Sequence, residues 1–247
     1  MTQFRAFTQS FARKNVLDIV VIGASGHGRE VMEILKADWR QGLGDQPVGF
    51  VDDNVKKLGR TVDGLPILGG FEWFENQPNT RFHVVCAVGE PRTLKRLAER
   101  AHSLGLSFAK AVSPLAQISS RATIGRGTMI FPNVVINTGA FIGDHVTVNV
   151  GATISHDARV GRFSNINPGV HLAGNVSVGE GCYIGMGANV IQNVSIGAWS
   201  TVGAGAVVIR DIPSLATAVG CPARVIKVAA GAGGASANPE DPSWGGI

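Results

Sequence analysis

From Ile118 to Val208 every sixth residue is aliphatic, and no insertion breaks the register. Ile124, Ile136, Ile142, Ile154, Val160, Ile166, Leu172 and Ile184 all belong to this series. Four places after each comes a second set no larger than valine, among them Ala140, Ala152, Ala158, Val176 and Ala188. A period of six fits neither the 3.6 of an α-helix nor the two of a simple strand. It fits a chain wound into a triangular coil, one hexapeptide per side and eighteen residues per turn. The aliphatic points into the prism and the small residue lets the chain turn. Glycine often follows the aliphatic, as at Gly143, Gly161 and Gly179, where a corner leaves little room for a Cβ. The expectation is a parallel β-helix of about five coils, and solenoids with hexapeptide repeats normally wind left-handed.

Residues eighteen apart then stack at about 4.8 Å, as in any sheet ladder. One such column is Thr138, His156 and Gly174. Another, Arg126, Asp144, Arg162 and Glu180, alternates in sign and is expected to be a solvated charge ladder along the sheet edge.

Upstream the pattern changes to alternating strands and helices. Strands are expected at Leu17 to Ile22, Val48 to Val51, Pro66 to Leu68, Phe82 to Val88 and Phe108 to Val112. Helices are expected from Arg29 to Asp38 and from Pro91 to Leu104. This order implies a small doubly wound, Rossmann-like α/β domain with a parallel sheet. The chain therefore divides into a loose leader (1–15), an α/β domain (16–112), a left-handed β-helix (113–228) and a disordered Gly/Ala-rich tail (229–247), with Val219 to Lys227 as an extended return strand.

In doubly wound sheets ligands bind at the carboxyl ends of the strands. Those ends carry Ser25, Gly26 and His27 in a glycine turn, then Asp52 and Asp53, then Gly89 with Arg92. Backbone N–H groups at the start of the first helix suit a phosphate. The glycine order is G-x-x-G-x-G rather than the G-x-G-x-x-G of dinucleotide enzymes, so a nicotinamide reading is weak.

Composition narrows the field further. A net charge of +4 without a basic stripe argues against nucleic acid. Three scattered cysteines, Cys86, Cys182 and Cys221, form no disulfide or zinc spacing and point to a reducing compartment. No long apolar run or signal peptide is present, so a cytoplasmic protein without membrane contact is expected. His145, His156 and His171 fall in different slots of the repeat, so no metal site is expected from them. His156 lies two places after a core aliphatic and should project outward, as either a surface or a catalytic histidine.

Taken in order, Ile22 to Gly28, Asp52-Asp53, Val88-Gly89 with Arg92, the coils with Ser155-His156-Asp157, and Gly220-Cys221-Pro222-Ala223-Arg224 resemble the acetyltransferases of the PglD/NeuD type. The likeness spans roughly residues 17 to 227. It implies an N-terminal domain that holds a nucleotide sugar, a homotrimer of β-helices, and acetyl-CoA lying between neighbouring prisms. By the same resemblance His156 is the general base and Asp157 its acidic neighbour. Asn149 becomes a polar contact near the acetyl group, Gly174 an amide near the thioester carbonyl, and Gly220, Pro222, Ala223 and Arg224 the stretch along the CoA adenine, with Lys227 a further phosphate partner. Where some members carry a second histidine this chain has Asn165, which is given no catalytic role.

The reaction so implied is direct transfer of acetyl to the amino group of a nucleotide-linked amino sugar. Two alternatives stand beside it: O-acetylation of a sugar or sialic acid hydroxyl by the same apparatus, and a non-catalytic scaffold that binds nucleotide sugars. A β-helix alone distinguishes none of these.

Overall fold

The computed structural model describes residues 17–42, 45–77 and 82–229. The leader and residues 230–247 of the tail lie outside these.

The α/β domain is built on β1 (Asp18–Ile22), the central strand, whose residues from Ile19 onward are buried. It is flanked in parallel by β2 (Gln46–Val51) and, on its other side, by a later strand, Phe82–Cys86. Between these come the short β3 (Thr61–Val62), antiparallel to β4 (Leu65–Gly69), and then β5, which is Phe82–Cys86 itself. With β6 (Ser107–Phe108) the sheet order is β3-β4-β2-β1-β5-β6. Helix α1 (Gly26–Arg40) begins one turn earlier than the apolar pattern indicates, and α2 spans Pro91–Ser103. Glu90 caps α2, its carboxylate accepting from the Arg92 and Thr93 N–H groups at 2.9 and 2.7 Å, and Pro91 fills the first turn where no N–H is needed.

The hexad register is realised as a left-handed parallel β-helix. Each aliphatic closes a two-residue strand, and the strands stack eighteen residues apart, as in Val135, Thr153, His171 and Asn189. Ile136, Ile142, Ile154, Ile166, Leu172 and Ile184 fill the prism and are essentially inaccessible. Each contributes about 1.5–3 kcal/mol through burial, so the core is a column of equal small increments. The coil starts earlier than the pattern alone places it: Ala111–Val112 is already a rung, paired with Met129–Ile130. At the other end the expected single return strand is a hairpin. Ala216–Val219 pairs antiparallel with Arg224–Val228, and residues 220–223 form the turn.

The corners divide their labour between two slots. The glycines directly after the aliphatic allow close approach of the next coil: a Cβ on Gly161 would sit 2.6 Å from the Glu180 nitrogen. The left-handed conformation instead falls three places after the aliphatic, on residues such as Asn133, Asp157, Asn175 and Asn193. Asn and Asp tolerate that region better than other side chains.

The prism has three faces, and one is covered. On the face formed by the strands at 111–112, 129–130, 147–148 and 165–166, the outward residues Ala111, Met129, Thr147 and Asn165 are buried beneath the α/β domain. The outward columns of the other two faces, including Gln117, His171, Thr123 and Arg159, remain accessible. Clamps secure the docking at its edge. Lys95 of α2 binds Glu180 at 3.0 Å, Arg162 binds the same carboxylate at 2.8 Å, and Lys95 also lies over the Trp199 ring. The expected solvated ladder therefore holds only for the Arg126–Asp144 pair, because Glu180 is 9% exposed and serves the domain interface. Among the described residues no helix is long and apolar enough to cross a membrane.

Candidate active site

His156 occupies the corner opposite the covered face, between the strands Thr153–Ile154 and Arg159–Val160. Ile154 is held in the core, so two residues later the chain has begun to turn and the imidazole projects outward, 58% exposed. Its Nδ1 lies 3.0 Å from Asp157 Oδ2. Asp157 adopts φ 59°, and its N–H donates to the Thr138 carbonyl one coil below. The imidazole rests on Gly174 of the next coil. A Cβ added there would lie 2.6 Å from both Cε1 and Nε2. Only a residue without a side chain lets the ring come this close to the following rung. The His156–Gly174 step of the column expected from the eighteen-residue register is thus a physical contact, and together with the Asp157 bond it restrains the ring from two sides.

Asp157 accepting a proton-bearing Nδ1 leaves Nε2 with its lone pair available. That is the tautomer a general base requires.

Asn149 does not join this group within one chain. It sits at a different corner, where its Oδ1 accepts from the Val150 N–H at 2.7 Å and its side chain borders a hollow of about 580 Å³ between α1 and the prism. Ile34, Ala37, Pro114, Leu115, Phe131 and Pro132 make that hollow largely apolar. The segment Gly220, Pro222, Ala223 and Arg224 caps the far end of the prism. Val207 donates to the Gly220 carbonyl and accepts from the Ala223 N–H, while the Arg224 side chain stays exposed.

In the α/β domain a second hollow, of about 270 Å³, opens at the carboxyl ends of β1, β2 and β5. Ser25, Asp52 and Asp53 meet there as the sequence indicates. Both acids also serve as framework. Asp52 accepts from the Ala24 N–H at 2.8 Å and from Lys57 at 2.7 Å, and Asp53 accepts from the Phe71 N–H at 2.7 Å. Burial opposes ionisation of Asp52, but the bonds from Lys57, Ala24 and Asn54 prevail and hold its carboxyl below the usual range. Gly26 opens α1 beside the Ser25 cap position.

Three expected substrate contacts face elsewhere. His27 points to the prism and stacks on Phe131 at 5.4 Å, because the second residue of α1 lies on the helix side packed against the coil. Arg92 lies over the Trp199 ring at 4.9 Å. Gly89 turns its carbonyl to the Asn165 side chain. The face of α2 that does line the hollow carries Thr93, Arg96 and Leu97. A helical count would have found Arg96, which follows Thr93 by three positions, once the strand ends were taken as the site.

No group of three or more His, Cys, Asp or Glu able to hold a metal occurs among the described residues. Cys86 and Cys182 are fully buried, and burial pushes both thiols up to about 12.

Comparison with known proteins agrees with this architecture. Residues 18–101 match the PglD N-terminal domain, and residues 157–192 and 175–210 match the bacterial transferase hexapeptide (six repeats). The acetyltransferase domain of PglB from Neisseria gonorrhoeae superposes with a TM-score of 0.78 at 35% identity, covering 85% of this chain and 99% of that one. PerB from Caulobacter crescentus, solved in complex with CoA and GDP-perosamine, gives 0.78 at 34% identity over 85% of this chain and 97% of that one. The UDP-N-acetylbacillosamine N-acetyltransferase of Bacillus subtilis is 36% identical over 125 residues, which are 46% of this chain and 50% of that relative. Sequence motifs, two-domain fold and these near-full-length structural matches agree, and the chain belongs to the PglD/NeuD-type family of sugar acetyltransferases.

Proposed function

We propose that the chain transfers acetyl from acetyl-CoA to the amino group of a nucleotide-linked amino sugar, with His156 as general base, and that it does so as a homotrimer. The observation that carries this reading is the exposed His156 imidazole bonded at Nδ1 to Asp157 and lying against Gly174. The nucleotide-sugar hollow belongs to a domain on one face of the prism, and His156 stands at the opposite corner. The base of one chain therefore serves the sugar bound by another, and acetyl-CoA lies along the seam between prisms, its adenine end near Gly220, Pro222, Ala223 and Arg224. This arrangement also brings the Asn149 corner of one copy toward the His156 corner of the next.

Within such a site the chemistry is direct. A neutral amine attacks the thioester carbon, a C–N bond forms, and Nε2 of His156 takes the amine proton. Asp157 stabilises the imidazolium through Nδ1–H. The oxyanion is met by a backbone N–H, for which Gly174 is the candidate. The C–S bond then breaks and CoA leaves as a thiolate, which takes a proton from the imidazolium or from water. Holding both substrates in line supplies much of the rate. Cys86 and Cys182, buried and protonated, are not available as acyl carriers.

The relatives favour nitrogen over oxygen as the acceptor, being described as N-acetyltransferases or found with GDP-perosamine. The test is release of free CoA thiol with a panel of UDP-, GDP- and dTDP-linked amino sugars and their hydroxyl analogues. Release with amino sugars alone is expected. Release with hydroxyl analogues alone would make the protein an O-acetyltransferase, and silence with every acceptor would leave a binding scaffold.

A further inference from the structure

Asn165 stands on the covered face of the prism, 5% exposed, as the last fully covered rung of its outward column. Its Nδ2 donates to the Gly89 carbonyl at 2.7 Å, across 76 residues of sequence. Its Oδ1 is buried and has no hydrogen-bond partner, and neither has the Thr147 hydroxyl on the rung before it. An apolar side chain here would avoid that cost, since a buried amide satisfied at one end only is unfavourable compared with none. The amide is therefore explained by what its nitrogen holds.

What it holds is the loop between β5 and α2. Gly89 follows Val88, which lines the nucleotide-sugar hollow, and precedes Glu90, whose carboxylate ties down the Arg92 and Thr93 N–H groups. One turn on, Thr93, Arg96 and Leu97 form the wall of that hollow. Gly89 also permits the approach, because a Cβ there would lie 3.3 Å from the Asn165 nitrogen. The route from prism to pocket is thus short and continuous: Asn165, Gly89, Glu90, the first turn of α2.

We propose that Asn165 is a positioning residue for the sugar nucleotide: through the Gly89 carbonyl it sets the place of the α2 N-terminus and so the shape of the pocket wall. This rests on the reading of that hollow as the sugar-nucleotide site. Any side chain that presents an N–H at the same point does the same work, and an imidazole qualifies.

The experiment compares the full-length wild type with Asn165→Asp, which keeps size but places an oxygen against the Gly89 carbonyl, and with Asn165→His, which restores an N–H. Two readouts are taken: KM for a nucleotide-linked amino sugar against KM for acetyl-CoA, and amide hydrogen exchange over residues 88–97 without ligand. Asn165→Asp is expected to raise the sugar-nucleotide KM about ten-fold, the effect of one lost bond, with the acetyl-CoA KM within about two-fold. The Arg92 and Thr93 amides should exchange faster, and Asn165→His should recover both values. Equal shifts in both KM values, or unchanged exchange at Arg92 and Thr93, would overturn the assignment. If Asn165→Asp does not fold, Asn165→Ser, too short to reach Gly89, takes its place with the same expectations. Should the wild type transfer no acetyl group at all, the functional reading fails on its own, and the exchange measurement still decides whether Asn165 holds the loop.

Discussion

Replacing Gly174 with alanine tests the contact that seats the His156 imidazole on the following rung. The new Cβ would lie 2.6 Å from Cε1 and Nε2 of the imidazole. Ordinary carbon contacts begin near 3.5 Å, so the ring must retreat by about 1 Å. The backbone at Gly174 is not left-handed, so alanine adds no strain there, and the displaced ring is exposed and free to move. Folding stability should therefore change by less than about 1 kcal/mol. The reaction should suffer far more, because a displacement of about 1 Å in a reacting group costs on the order of 10²-fold in rate. Steady-state thiol release at saturating concentrations of both substrates gives kcat, and thermal unfolding checks the fold. In a His156→Ala background the same substitution should do nothing further, since neighbouring sites that act as one are not additive. A Gly174→Ala enzyme with kcat within two-fold of wild type would refute the claim that this rung positions the base.

Other consequences are equally open to measurement. His145 is 5% exposed between Phe108 and Phe163, and burial lowers its pKa to about 4, opposed by Asp144 and helped by Arg126, Arg162 and His102. The unfolded chain binds this proton below about pH 6.5 and the folded chain does not, so stability should fall from about pH 6.5 towards 4, by on the order of 3 kcal/mol in total. Unfolding free energies across that range should flatten in His145→Asn, which suits the left-handed backbone there; an unchanged slope would remove His145 as the cause. Asp53→Ala should weaken sugar-nucleotide binding by calorimetry while leaving the acetyl-CoA KM unchanged, and the reverse pattern would displace the pocket. Mixing a His156→Ala chain with a pocket-blocked Ser25→Tyr chain, unfolded and refolded together, should regain activity that neither has alone. No recovery in demonstrably mixed assemblies would put base and pocket on the same chain.

The coil was legible because its physics is periodic. A slot that must be aliphatic at Ile136, Ile154 and Leu172 and small at Ala140, Ala152 and Ala158 prints its geometry directly on the sequence, and eighteen-residue stacking then places His156 beside Gly174. The strand ends were legible for the same kind of reason, giving Ser25, Asp52 and Asp53. What escaped was the direction of side chains once two domains dock. Nothing local in the sequence says that His27 will stack on Phe131 or that Arg92 will lie on Trp199. Those orientations are set by which prism face the α/β domain covers, a long-range choice sealed by Lys95–Glu180 and Asn165–Gly89. Glu180 departs from the expected solvated ladder for the same reason: a ladder position is solvated only on an uncovered edge.

In the proposed reaction the histidine at the open corner of the prism takes the proton from the attacking amine. Its most direct test is kcat for CoA-thiol release by His156→Ala with acetyl-CoA and a nucleotide-linked amino sugar both saturating. A fall of about 10²-fold or more is expected in a folded protein that still binds both substrates. A kcat equal to that of the wild type would contradict it.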